Sequence, residues 1–329
     1  HELCVHLGVR AKGRIGGLLA GLGFMLPGFL LMLALAWAYS KLAIDGTWLG
    51  ALFLGVQAAV LAVILRAVHR IGEHILTDPC LWAVAILSAV ASAAGATFWI
   101  VLPAAGAIYT LAAERRVFLT GLLLAGVTVL VILITSDPEV ALVPASVVAV
   151  TSPTTAGLFL AGLKGGLLTF GGAYTAIPFV RDDTVGRGWM TDAQFLDGLA
   201  LSGVLPAPLV IFATFVGYVC GGLPGALAIT AGMFLPAFAF SLIFYEKLEA
   251  VAEHKALHAF LAGAASGVVG IIVVTLFNLG RAGIERSPYL LVSSTIFAVA
   301  LAILYRWKSK LATPVVLGIG AVFGVAALT

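Results

Sequence analysis

Lys164 lies in the stretch GLKGGLLTFGGAYTAIP, residues 162 to 178, where one formal charge and several glycines interrupt an apolar segment. A charge near the centre of a membrane helix costs about 2.5 to 3.5 kcal/mol on insertion scales, so its presence needs a reason. Just beyond it, Gly171 and Gly172 weaken the helix and can leave backbone N–H groups facing a cavity, the means by which open helix N-termini hold anions. Phe170 stands between Thr169 and this pair, and Pro178 is a further breaker. Hydroxyls at Thr169, Tyr174 and Thr175 can donate without adding charge, which suits an acceptor-rich ligand. A structural reading competes: Lys164 snorkels to the interface and the glycines only permit close helix packing.

A second interruption follows at LPAPLV, residues 205 to 210. Pro206 and Pro208 bias Leu205 and Ala207 to extended backbone, so the helix should break inside the apolar depth. Asp197, early in the same segment, is either a partner for the helix N-terminus or a proton carrier. Other chemistry finds no support. No Walker lysine follows a glycine-rich loop, and neither GxSxG nor HExxH occurs. His254 and His258, like His69 and His74, fall at helix ends beside Glu253 and Glu73, in short polar loops rather than in a metal site. Cys4, Cys80 and Cys220 are too scattered for a disulfide framework. The reading is therefore of a protein that is no enzyme and holds no metal or cofactor.

What must position these residues is a set of membrane helices. Of 329 residues, 62% are hydrophobic and 10% charged, against about 25% charged in soluble domains. The pattern predicts an all-α polytopic membrane protein with spans near 15–40, 48–68, 79–95, 98–113, 117–135, 157–180, 192–220, 223–245, 257–280, 288–305 and 313–328, about ten to eleven in number. The net charge of +3 is spread over short loops and not gathered in a patch, so nucleic acid is not an expected partner.

The chain also repeats. Shifted by 209 positions, GRIGGLLAGLGFMLPGF (13–29) matches GLPGALAITAGMFLPAF (222–238) at seven of seventeen positions, Gly13 on Gly222 and Pro27 on Pro236 among them. With one residue less offset the register continues through Gly55 with Gly263 and Ile64 with Ile272. This divides the chain into an incomplete first half (1–116), a linking span and loop (117–156) and a second half (157–329). The twin of TFGGAY would lie before His1, so about fifty residues of the first half are expected ahead of the sequence given. Placing Arg10, Lys12 and Arg14 in the cytoplasm puts fourteen basic residues inside, including Arg181 and Arg187, and three outside (Lys41, Arg281 and Arg286). The odd span at 117–135 then turns the second half upside down, giving an inverted repeat with broken helices, as in secondary transporters.

TFGGAYTAIP, GWMTDAQFLDGLALSG, LPAPLVIFATFVGY and GALAITAGMFLPAF, with GRIGGLLAGLGFMLPGFLLMLALAWAYSKL in the first half, resemble the chromate ion transporter family in its long, two-half form. The resemblance covers nearly the whole chain in order. It implies a multi-pass carrier of the bacterial inner membrane that exports chromate, a sulfate analogue, and confers chromate resistance. Phe170, Gly171 and Gly172 stand at the family's Phe-Gly-Gly signature, Lys164 where a lysine often precedes it, and Pro206 and Pro208 at its Pro-Gly-Pro, with Ala207 replacing the glycine. The expected substrate site is thus Lys164, Thr169, Phe170, Gly171, Gly172, Tyr174, Thr175, Pro206 and Pro208. Its partners would be chromate, with sulfate as a second candidate, and the lipid bilayer; a homodimer is also open. The alternatives are a carrier for sulfate or for a small organic solute, and a membrane scaffold that transports nothing.

Overall fold

The computed structural model describes residues 2–42, 47–114, 116–136, 152–169, 172–243, 255–287, 289–309 and 311–328. Phe170, Gly171, Arg115, Glu253, His254 and Lys310 lie outside them, as does 137–151 of the linking segment. The described residues form α1 (Glu2–Lys41), α2 (Trp48–Ile75), α3 (Pro79–Ala93), α4 (Phe98–Ala113), α5 (Val117–Ser136), α6 (Thr155–Leu167), α7 (Ile177–Thr184), α8 (Asp192–Val204), α9 (Phe212–Ile243), α10 (Lys255–Arg286), α11 (Leu290–Arg306) and α12 (Ala312–Leu328). Short 3-10 turns at Ala173–Ala176 and Leu209–Ile211 lead into α7 and α9. Four of the helices, α1, α2, α9 and α10, are long and apolar enough to cross a membrane. Large apolar side chains such as Ile15, Phe277 and Leu291 stand exposed on the outside, as they would against lipid. Inside, Phe179, Phe195, Phe212 and Phe215 are fully buried in one continuous core.

The repeat is visible in the backbone. Lys12 (φ −143°, ψ 32°) and Gly13 (φ 64°, ψ −163°) break α1, and Gly221 (φ −142°, ψ 19°) and Gly222 (φ 62°, ψ −155°) break α9 in the same way. Glycine occupies the left-handed position in both, where a Cβ would be strained. Each break folds its helix into two antiparallel arms. Gly8 lies on Gly16 in α1, Gly217 lies on Gly225 in α9, and Thr214 and Thr230 share a hydrogen bond of 2.7 Å across the α9 arms. The first arm of α1 lies ahead of the spans expected from hydropathy.

Twin helices run in opposite directions. Gly17 and Gly21 of α1 face Leu242 and Phe238 of α9, and Gly72 and Leu61 of α2 face Val269 and Gly283 of α10, so both pairs pack antiparallel. This is the geometry of an inverted repeat. The copies also interdigitate: Gly55 of α2 packs backbone-close on Gly320 and Gly324 of α12, while its twin Gly263 of α10 packs on Ala105 and Gly106 of α4. Ser266 of α10 adds a 2.6 Å hydrogen bond to the Leu81 carbonyl of α3.

Two segments expected to cross do not. Gly157 lies against Trp189, Lys164 against Asp183 and Gly165 against Val180, so the chain from 155 to 189 turns back on itself. The chain from 192 to 220 does the same, with the Phe195 and Phe212 rings 5.6 Å apart, Gly198 on Phe215, and the Cys220 thiol 3.8 Å from the Trp189 carbonyl. Hydropathy counts apolar residues and is blind to a reversal between them, which is why 157–180 and 192–220 read as spans. Replacing two crossings by two hairpins leaves the direction of every later helix unchanged. It moves Arg181 and Arg187 to the face of Thr154, and the positive-inside bias becomes twelve to five.

The glycine seams carry a direct test. A larger side chain at Gly55 or Gly263 must push two helices apart, at about 1 to 3 kcal/mol for overpacking. Gly55→Leu and Gly263→Leu should each lower the melting temperature in detergent. Gly23→Leu, where a Cβ meets open space, should not. Equal melting of all three would contradict the interdigitated packing.

Candidate functional site

Each hairpin is built from local chemistry. Thr154 caps α6 by accepting from the Gly157 N–H at 3.0 Å, and Thr191 and Gln194 form a reciprocal capping box at the start of α8. Asp197 is therefore not the cap of α8. The inward arms α6 and α8 are both 13 residues long, a rise of about 20 Å against a hydrocarbon core of about 30 Å. Equal lengths bring both tips to a similar depth, short of the far face.

At the first tip α6 ends at Leu167, and Gly172, at φ 154°, admits the turn into Ala173–Ala176. The Gly172 carbonyl accepts from the Thr175 N–H at 3.1 Å and hydroxyl at 2.7 Å. At the second tip Leu205 (ψ 141°) and Pro208 (ψ 136°) are extended, and the Ala207 N–H reaches back to the Leu205 carbonyl at 2.8 Å. The turn forms with alanine at the centre. Its methyl leaves no room for a Cβ on Gly28 of α1, which presses directly on Ala207.

The tips meet. Tyr174 and Ile177 from the first and Gly203 and Leu209 from the second line one small void with Val60, Val63 and Ile64 of α2 and Leu317 of α12. Both outward arms start here, so two helix N-termini, with their open N–H groups and positive dipole ends, are brought to one place from two hairpins. Such a place favours an anion held by backbone donors.

The structure shows how the sequence-derived residues are used. Thr169 donates its hydroxyl to the Gly165 carbonyl at 2.6 Å and Thr175 donates to Gly172, so both protons are engaged within the hairpin. Tyr174, half-buried, has no hydrogen-bond partner for its hydroxyl among the described residues. Pro206 is exposed and Pro208 half-buried. Lys164 neither snorkels nor stands alone: its ammonium lies 2.6 Å from Asp183, 3.8 Å from Asp182 and 4.1 Å above the Phe98 ring of α4. Arg187 contacts the other Asp183 oxygen at 3.1 Å, and Arg181 grips Asp192 through two bonds of 2.6 and 2.7 Å. Three cations and three carboxylates along 155–192 thus cancel. Sequence reasoning missed Phe98, Asp182, Asp183 and Gly28. The acid pair could have been suspected from its place beyond the break, where an antiparallel return brings residue 183 beside 164.

The Lys164–Asp183 contact is largely buried, with 13% and 9% of the two side chains exposed. Removing one member of such a pair strands the other, at about 3 to 5 kcal/mol. Lys164→Met should therefore lower the detergent melting temperature markedly, and Lys164→Met combined with Asp183→Leu should recover much of the loss. A single variant as stable as the parent would show that the pair does not hold the hairpin.

The chromate transporter family profile matches residues 1–112 and 156–325. A chromate transport protein of Pseudomonas aeruginosa is 61% identical over 319 residues, covering 96% of this chain and 76% of that protein. A chromate transport protein of Cupriavidus metallidurans is 28% identical over 334 residues, covering 99% and 79%. No solved structure matches the chain. With matched segments spanning well over half of its residues, the chain belongs to the chromate transporter family.

Proposed function

We propose that this chain exports chromate across the bacterial inner membrane, so conferring chromate resistance, and that it binds the dianion where the two hairpin tips meet. The observation that carries this reading is the convergence of two helix N-termini beside Tyr174. A tetrahedral dianion needs several donors in a place without bulk water. Open N–H groups at Gly172, Ala173 and Leu209, with the Tyr174 hydroxyl, are of that kind. Thr169 belongs to the same tip, with Phe170 and Gly171 next to it in sequence, Thr175 fixes its turn, and Pro206 and Pro208 hold the second tip open. Lys164 serves this site through the hairpin it braces, its charge shared with Asp183. A local charge sum of zero along 155–192 favours release as much as binding. The substrate is inferred from the printed names of the relatives. Sulfate has the same shape and charge, and should compete.

A second reading has one observation in its favour. A cavity of about 250 Å³ between α2, α10 and α11 is lined mainly by apolar side chains, including Leu54, Leu61, Leu276 and Phe297, and would suit a small organic solute.

Vesicles carrying the chain separate these readings. Chromate flux should be inhibited by sulfate and not by chloride. Replacing both Pro206 and Pro208 with Ala should leave an inserted protein with much weaker flux, because a continuous helix closes the groups that the break exposes. Chromate flux indifferent to sulfate, or unaffected by the double replacement, would contradict the tip site.

A further inference from the structure

Asp197 is the one carboxylate among the described residues with no exposure at all, and the tip site does not use it. It stands in the inward arm of the second hairpin, where α1, α2 and α10 converge on it. Tyr39 of α1 donates to its Oδ2 at 2.8 Å, Gln57 of α2 donates to its Oδ1 at 2.6 Å, and the Arg286 guanidinium at the end of α10 lies 3.5 Å from Oδ2. Phe212 and Phe215 from α9 and Leu317 from α12 also pack on this arm, and Arg181 pairs with Asp192 at its start. Tyr39 is itself packed between the rings of Phe53 and Phe215, at 5.6 and 4.9 Å. Among the described residues, Tyr39, neutral Gln57 and Arg286 are the polar and charged groups that contact the carboxylate.

We propose that Asp197 is a proton-binding site of the transport cycle, at which a proton and the Arg286 guanidinium alternate as the compensating charge. The argument is one of balance. A fully desolvated carboxylate is tolerable only with a cation or a proton on it. The two neutral donors are short, the cationic contact is the long one, and Arg286 is the last residue of its helix, with its side chain 23% exposed. Asp197 belongs to a hairpin that folds back short of the far face, whereas Arg286 belongs to a helix long enough to cross. Any displacement of the hairpin relative to α10 lengthens a contact already at the edge of ion-pair range. The carboxylate then keeps Tyr39 and Gln57 but loses its cation among phenylalanines, and a proton takes its place. Approach of Arg286 expels that proton. Movement of the hairpin and proton binding are then linked thermodynamically, each biasing the other.

The Gln57 amide supports a site built around ionic change. Its Oε1 is buried without a hydrogen-bond partner in the described structure, a cost accepted so that the amide N–H faces the carboxylate. A side chain selected only for packing at this position would not carry that orphan.

The inference rests on the transport reading, and the test keeps the two apart. In proteoliposomes of the chain with a trapped pH indicator, net chromate flux should move protons. Asp197→Asn should retain chromate counterflow at equal pH and lose the linked proton movement. Asp197→Glu should restore that movement at least in part. Arg286→Gln, at the half-exposed end of α10, should leave the carboxyl protonated and likewise abolish proton movement. Chromate flux without protons in the parent, proton movement persisting in Asp197→Asn or Arg286→Gln, or loss of counterflow in an inserted Asp197→Asn would each overturn the proposal. Absence of chromate counterflow in the parent would sink the transport reading instead. The infrared carbonyl band of a protonated carboxyl in detergent-solubilised protein would then decide for Asp197: its appearance in the parent and loss in Asp197→Asn supports the site, and an unchanged band refutes it.

Discussion

Hydrocarbon offers no hydrogen bonds, so a chain can leave its helix at membrane depth only where other protein surrounds the break. The arrangement of this molecule follows from that constraint. Two inward arms of 13 residues stop short of the far face, and the backbone exposed at each tip must be enclosed. Gly28 of α1 and Ile71 of α2 press on the tips, Phe195 and Phe212 hold one hairpin shut, and the Lys164–Asp183 pair holds the other. The groups that make the tips costly to bury, open N–H donors at helix starts, are the ones that suit an anion.

Enclosure requires close approach, and close approach requires glycine. α6 lies parallel to the second arm of α9 with Gly162 against Ile229, Gly166 against Met233 and Gly232 against Phe159, contacts in which any Cβ would meet backbone. The same device joins the two copies through Gly55 and Gly263. Because α2 and α10 each pack against helices of the other copy, the core runs continuously through both. An inverted repeat built this way places the tips, the Tyr174 void and Asp197 all at the junction of both copies.

Much of this was legible in the sequence. Composition established the membrane fold, and Gly13 and Gly222 announced a duplication that the backbone repeats to within about fifteen degrees. The breaks at Gly172 and at Pro206 and Pro208 were also readable, because each has a steric cause in its own residues. Reversal of direction was not. Residues 157–180 are long and apolar enough for a span, and only tertiary contacts such as Trp189 on Gly157 show that the chain returns. The role of Lys164 was hidden for the same reason. Its partners Asp182 and Asp183 lie across the break, so a reading that sends the chain to the far face separates charges that in fact touch. Asp197 was readable as a helix-terminus partner or a proton carrier, but Tyr39, Gln57 and Arg286 come from sites up to 158 positions away and carry no local signal.

Sidedness decides the central claim, since everything at the tips depends on hairpins that enter and leave by one face. Single cysteines at Thr154 and Arg187, flanking the first hairpin, can be challenged with an impermeant thiol reagent in right-side-out and inverted vesicles. The account predicts that both react from the same side, which is also the side of a cysteine at Gly222. Reaction of Thr154 and Arg187 from opposite sides would mean that the segment crosses the membrane, and would contradict the account.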